Sequence, residues 1–147
     1  MIDLYFTLIS PDNNKLSGYE LGHISFYDRA NNCMLADNSE KPVIIFLTIC
    51  DLLFEISDFV IKKRKYAKIV GADSSVMIIL ERKRYFTYLY FDNILIMKTT
   101  DDTILNLFYT KVLIFYDMYK ECFDDNDPVK KDLLSAFKRV ENSIRRC

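Results

Sequence analysis

An apolar stripe recurs at three- and four-residue spacing near the middle of the chain. Its members are Ile45, Ile49, Leu52, Leu53, Ile56, Phe59 and Val60. This period places them on one face of an α-helix, and that face must be buried against other elements. The pattern predicts a helix that Ser39 caps and that tolerates Pro42 near its start. We expect it to end near Lys62–Lys65, where cations oppose the negative end of the helix dipole.

Alternation of apolar and polar residues predicts strands on both sides of this helix. Before the helix, the expected strands are Ile2–Leu8, His23–Arg29 and Cys33–Asp37, and Ser10–Asn14 is expected to form a turn. After the helix, they are Tyr66–Val70, Ser75–Arg82, Tyr85–Phe91 and Ile94–Lys98, with Asp92 and Asn93 as a two-residue hairpin turn. The unbroken apolar run Val76–Leu80 predicts a central strand that is covered on both faces.

Two further helices complete the chain. One is expected to start at Thr100–Asp102 and to run to about Phe123, and the other to start at Asp127–Pro128 and to reach the C-terminus. The order is therefore βββ-α-ββββ-αα. Because the helices cluster, the fold class is α+β, with a mainly antiparallel sheet packed against one central helix and two C-terminal helices. At 147 residues, a single domain over residues 1–147 is expected.

Charge and composition narrow the classes of function. The net charge is −1, so the chain lacks the overall basic field expected of a nucleic-acid binder, and no nucleic-acid partner is expected. No basic N-terminal region precedes an apolar segment, and no apolar run approaches the roughly 20 residues of a membrane span. The four cysteines form no paired motif. A reduced, cytoplasmic protein without a membrane partner is the expectation.

The usual groups of a catalytic site are scarce. His23 is the only histidine, and it alternates with Ser25 and Tyr27 on one strand face, but no orienting carboxylate can be assigned to it. A surface or sheet-edge histidine is the commoner explanation of such a residue. One histidine and scattered cysteines give no zinc spacing, and the acidic run Asp124–Asp127 lacks the glycine and glutamate of a calcium loop. We therefore expect no catalytic residues, no metal and no cofactor.

The first helix offers a candidate contact surface. Asp51, Glu55 and Asp58 fall together on the face opposite the apolar stripe, with Phe54 beside them. An apolar side chain flanked by carboxylates is typical of a protein interface. The alternative is that a second layer, such as the terminal helices, covers Phe54 and Leu47. The sequence leaves both alternatives open.

Aromatic and basic residues offer a second candidate. The strand Tyr85–Phe91 carries large side chains on both faces, so one face needs a covering helix or a partner. The clusters Lys62–Lys65 and Arg82–Arg84 could contact a polyanion while nearby tyrosines stack on bases. The plainer explanation is a helix end for the first cluster and a charged hairpin tip for the second.

The order of these segments resembles a known group of proteins. Gly18–Phe26, with the sequence GYELGHISF, precedes the helix Ile45–Lys62, and Val70–Ser75, with the sequence VGADSS, leads to the aromatic strand. Together they resemble the small cytosolic immunity proteins of bacterial contact-dependent growth inhibition and related polymorphic-toxin systems.

The resemblance implies a protein that is not an enzyme and that neutralises a cognate toxin C-terminal domain in a 1:1 complex by blocking its active site. Such a complex buries on the order of 1,600 Å². Because many such toxins are nucleases with basic clefts, it assigns partner binding first to Asp51, Phe54, Glu55 and Asp58, and second to Asp92 and Asp102. Two alternatives remain. One is a small nucleic-acid-binding protein or enzyme built around His23 and the Arg82–Arg84 hairpin, and the other is a self-associating regulatory subunit, such as a homodimer.

Overall fold

The structure is a computed structural model that describes residues 1–9 and 15–146, without the Arg146 side chain. The turn predicted at Ser10–Asn14 lies outside the described residues. Within them, one four-stranded antiparallel sheet contains β1 (Ile2–Leu8), β2 (Leu21–Asp28), β3 (Cys33–Asp37) and β4 (Val43–Ile44). A second contains β5 (Tyr66–Val70), β6 (Met77–Lys83), β7 (Phe86–Phe91) and β8 (Ile94–Thr99), in that order. The helices are α1 (Ile45–Ile61), α2 (Asp101–Tyr119) and α3 (Pro128–Arg146).

The α+β class and the predicted order of elements are confirmed, with β4 as an addition and two sheets in place of one. Alternation along β1 is also confirmed, since Leu4 and Phe6 are buried while Tyr5 and Thr7 are exposed. Asp3 departs from it, because its buried carboxylate forms ion pairs with Lys111 of α2 and with Arg29. The Lys111 pair ties the edge strand β1 to α2, and the Arg29 pair ties it to the end of β2.

The start of α1 differs from the prediction. The helix begins at Ile45, and Ser39 donates its hydroxyl to Asp37 instead of capping it. The segment between them is held by strand pairing, because Val43 and Ile44 pair with β2. The Ile45 N–H donates to Glu20 O, and this bond satisfies a donor that a cap residue would otherwise serve. Backbone hydrogen bonds to β2 and to Glu20 therefore fix the start of α1, and not a side-chain cap from Ser39.

The end of α1 and its apolar stripe are confirmed. Lys62 is the C-cap, and Lys63 next to it has a φ of 50°, the left-handed conformation that often ends a helix. Every member of the stripe is buried. Further aromatic side chains join this core from α2 and from the segment after it: the Phe46 ring lies 5.3 Å from the Phe115 ring and 4.8 Å from the Phe123 ring, measured between centres.

Within residues 1–9 and 15–146, the second sheet is covered on one face only. Ile78 and Leu80 of β6 are buried, whereas Met77 and Ile79 are half-buried. The prediction that Val76–Leu80 is covered on both faces is therefore wrong, although β6 does lie between two other strands. An unbroken apolar run cannot show whether a second covering layer exists. The β7–β8 hairpin is confirmed, because Asp92 and Asn93 both have positive φ, as its tight turn requires.

Candidate partner-binding surface

The acidic row of α1 is largely neutralised by the protein's own cations. Asp58 accepts a hydrogen bond from Arg139 of α3, and its carboxylate lies 3.5 Å from Lys62 Nζ and 3.7 Å from Arg64 Nη2. Burial alone raises the pKa of Asp58, but the hydrogen bond and charge of Arg139 outweigh it and lower the pKa overall. Asp58 is therefore part of the contact between α1 and α3.

Phe54 and Glu55 are also partly engaged within the chain. The Arg139 guanidinium lies 5.4 Å from the centre of the Phe54 ring, and Arg64 Nη1 lies 3.6 Å from Glu55 Oε2. Phe54 is half-buried against the core, as is Leu47, so the second-layer alternative accounts for much of both side chains. Asp51 differs: it is exposed, and within the described residues its side chain has no ion pair or hydrogen bond.

The two secondary acidic positions lie on other elements. Asp92 is in the β7–β8 turn, where its Oδ1 accepts the Met77 N–H at 2.8 Å and so holds the hairpin to β6. Asp102 is exposed in the first turn of α2. Asp92 and Asp102 therefore belong to the β7–β8 turn and to α2, and not to the face of α1 that carries Asp51, Glu55 and Asp58.

His23 lies on β2, opposite Thr7 of β1. Its Nε2 atom is buried and has no hydrogen-bond partner among the described residues. Ser25 follows on the same strand face, but no hydrogen bond joins it to His23 in residues 1–9 and 15–146. The histidine alternative thus lacks the contact that a nucleophile–base pair requires.

Arg82 is not at the tip of a hairpin, as the sequence predicted, but inside the protein. Its guanidinium donates to both carboxylate oxygens of Asp101 at 2.7 and 2.6 Å and to the backbone oxygens of Arg64 and Phe59. It also lies 4.5 Å from the centre of the Phe59 ring. The side chain joins the end of α1 to the start of α2. Only the rest of the predicted basic cluster is available to a partner.

The outer face of the second sheet is the largest feature that sequence analysis left unresolved. We use this name for the side chains that point away from the helices. The pairing register assigns to it Tyr66, Lys68, Val70, Met77, Ile79, Glu81, Lys83, Phe86, Tyr88, Tyr90, Leu95 and Lys98. These residues are exposed or half-buried, whereas their neighbours Ile78, Leu80 and Leu89 are buried on the inner face. Of the two possibilities for the second face of Tyr85–Phe91, a covering helix or an open surface, the structure shows the open surface.

Lysines surround the aromatic rings of this face. Lys98 Nζ lies 4.5 Å from the centre of the Phe86 ring, and Lys83 Nζ lies 5.1 Å from that of Tyr88. With Arg84 and Tyr85, which is 90% exposed, these residues line a cleft of about 420 Å³. A cation above an aromatic ring is attracted by the ring quadrupole and still presents its charge to solvent. Glu81 on the same face lies 3.8 Å from Lys83 Nζ and offsets part of this charge, so the end that carries Lys83, Arg84 and Lys98 is aromatic and has a net positive charge.

A groove of about 380 Å³ connects this face with α1. It is lined by Asp51, Phe54 and Glu55 on the helix and by Lys68, Ile69 and Val70 on β5. Three of the six predicted contact residues, which share one face of α1, therefore lie beside the edge strand β5. No feature of the sequence shows this neighbourhood, because it depends on how α1 crosses the sheet.

In residues 1–9 and 15–146, no three histidine, cysteine, aspartate or glutamate side chains form a group that could hold a metal ion. Over the same residues, no helix has the length and apolar character that crossing a membrane requires.

The fold and surface define an α+β protein with one sheet face open to solvent. Comparisons with protein-family models, with curated proteins and with solved structures find no match to this chain.

Proposed function

We propose that the protein neutralises a cognate toxin C-terminal domain by forming a 1:1 complex that blocks the toxin's active site. The observation that carries the proposal is the outer face of the second sheet, where aromatic and aliphatic side chains remain open to solvent. Large exposed apolar patches of this kind mark interaction sites. The resemblance of Gly18–Phe26 and Val70–Ser75 to immunity proteins supports the same proposal.

Phe86 and Tyr88 are the anchors of the proposed interface. Aromatic side chains carry much of the energy of protein interfaces, because they bury a large area at a small cost in conformational entropy. Lys83 and Lys98 stand over these rings, so a partner surface with carboxylates at matching positions fits best. The acidic row of α1 contributes mainly its exposed end, Asp51, because Asp58 is engaged by Arg139 and Glu55 by Arg64.

Co-expression with the product of the adjacent upstream reading frame tests the function. Rescue of growth together with co-purification in 1:1 stoichiometry is the expected result. A Phe86→Ala, Tyr88→Ala double variant should lose at least about tenfold in affinity, a loss of 1.4 kcal/mol or more. Met118→Ala is the matched control, since Met118 is 65% exposed on α2, away from the sheet. Unchanged affinity of the double variant would remove the outer face from the proposal.

The same co-expression experiment tests two hypotheses from the sequence, an enzyme built on His23 and a contact surface on α1. A His23→Ala variant should still protect cells, whereas an enzyme built on His23 would lose its activity. The surface predicted first is tested by Asp51→Lys, Phe54→Ala and Glu55→Lys in one chain. If this triple variant binds as tightly as the wild type, the α1 residues are not part of the interface.

Nucleic-acid binding is the second candidate function, and the cleft lined by Lys83, Tyr88 and Lys98 is the observation that favours it. Base stacking on aromatic rings combined with nearby cations is the usual arrangement of single-strand binders. Fluorescence anisotropy with a labelled oligothymidylate should then show binding that weakens steeply with salt. The toxin-binding proposal instead expects no saturable binding in this assay.

A further inference from the structure

The outer edge of β5 has backbone groups that no described strand uses. Arg82 N donates to Lys65 O, and Gly71 N donates to Val76 O. In an antiparallel pair, hydrogen-bonded positions recur at every second residue. On the β5 side these bonds involve Lys65 and Gly71, so the odd-numbered residues between them also face β6. The N–H and C=O groups of the even-numbered residues Tyr66, Lys68 and Val70 therefore point away from β6. β5 is the first strand of its sheet, and in the part of the chain that the structure describes no strand other than β6 pairs with it.

This edge is open along the length of β5 and is closed beyond it. Ala72 O, two residues after Val70, accepts a hydrogen bond from Ile44 N of β4 at 3.0 Å. The adjacent stretch of edge borders the groove of about 380 Å³ that runs between β5 and α1. An added strand would lie roughly 4.8 Å from β5, along the edge that borders this groove.

The charges beside the groove specify what kind of strand fits. Lys68 projects from the outer face and has no ion pair within the described residues, and Asp51 on the helix side has none either. Although Asp51 as a whole is exposed, its carboxylate loses part of its hydration to the surrounding protein, and this desolvation raises its pKa. Side chains of an added strand alternate between the two sides. A residue opposite Lys68 would point outward, and its neighbours would point towards α1.

A second copy of the chain fits this edge poorly in the register that pairs the whole of β5 with itself. Antiparallel pairing of β5 with itself, centred on Lys68, would place two lysines directly opposite each other. Like charges at such a position are destabilising, and lysine on an edge strand is a common device against self-pairing. An acidic residue at the same position would instead form a favourable pair with Lys68.

We propose that an extended segment of the partner pairs with β5 as an additional antiparallel strand of the second sheet, with an acidic side chain opposite Lys68 and a basic one facing Asp51. This inference rests on the proposed function, because it names the mode by which the toxin domain would bind. The added strand would also continue the outer face beyond Tyr66, so one partner could cover both surfaces.

Proline substitution tests the backbone contact directly. Lys68→Pro removes an N–H that points away from β6, and proline is tolerated in edge strands on that side. Lys68→Ala is the matched control, because it removes the side chain but keeps the N–H. Affinity for the upstream-encoded toxin domain should fall at least tenfold for Lys68→Pro relative to Lys68→Ala. Val70→Pro and Val70→Ala repeat the comparison if the first proline variant fails to fold.

The outcomes for the two proposals are distinct. If the proline and alanine variants bind the toxin domain equally well, strand addition is overturned and the proposed function stands. If wild-type protein does not bind that domain, the proposed function fails. Strand addition to β5 is then tested separately, by titrating the protein with a short peptide. The probe is acetyl-Thr-Lys-Glu-Val-Thr-amide at about 1 mM, a concentration that reveals weak binding. Its control exchanges Lys and Glu, which sets like charges against Lys68 and Asp51.

In this titration, amide chemical shifts of Tyr66, Lys68 and Val70 should move with the probe and remain still with the control. Absence of any shift along β5 overturns the inference, and so do equal shifts with both peptides. Light scattering of the protein alone provides the last check. A dimer that Lys68→Pro abolishes and Lys68→Ala preserves would show that the edge pairs with a second copy, contrary to the proposal.

Discussion

Replacing Arg82 by methionine should destabilise the protein strongly, although the residue lies in a cluster that resembles a surface patch. The Arg82 and Asp101 side chains are only 19% and 13% exposed. The substitution removes four hydrogen bonds and leaves the Asp101 carboxylate with the Thr87 hydroxyl at 2.6 Å and the Lys63 ammonium at 3.9 Å. Removing one partner of a buried pair costs about 3–5 kcal/mol, and we expect about 3 because Lys63 compensates in part.

Urea unfolding followed by far-UV circular dichroism measures this loss. For a chain of this size the melting temperature should fall by roughly 10 °C. Lys83→Met is the matched control: Lys83 is the next residue of β6, its side chain is 53% exposed, and its loss should cost less than about 0.5 kcal/mol. A loss below about 1 kcal/mol for Arg82→Met would refute the view that this side chain joins α1 to α2.

Two further predictions concern the first sheet. Burial opposes ionisation of Asp3, but hydrogen bonds from Lys111 and Tyr5 outweigh it and lower its pKa to about 2. Its stabilising contribution is therefore present above pH 4 and is lost as the pH falls towards 2; Asp3→Asn should flatten this part of a stability–pH curve. Gly22→Ala should cost about 1–3 kcal/mol in urea unfolding, because its Cβ would lie 2.5 Å from Thr7 O; a neutral effect would contradict this.

The fate of the predicted acidic surface shows what helix periodicity can and cannot establish. Rotation of 100° per residue correctly places Asp51, Glu55 and Asp58 on one side of α1. Whether these carboxylates are available to a partner depends on which cations of the same chain lie next to them. Arg139 lies 81 positions after Asp58 in the sequence. The two side chains meet because α3 packs on α1.

Local patterns in the sequence determined most of the secondary structure. The strand bounds of Ile2–Leu8, Cys33–Asp37 and Tyr66–Val70 agree with prediction, and so do the end of α1 and the Asp92–Asn93 turn. These features depend on side-chain periodicity and on backbone preferences within a few residues. The α+β class follows from the order of the elements, which the sequence also shows.

Tertiary structure alone decided which of the resulting surfaces are open. The sequence of β6 and β7 supplies apolar and aromatic side chains to both faces of a sheet, but only the placement of the helices selects the face that remains exposed. The same placement engages Asp58, encloses Arg82 and leaves the edge of β5 beside Asp51. Burial and ion pairing depend on contacts between segments that are distant in the sequence, so a local sequence pattern cannot predict them.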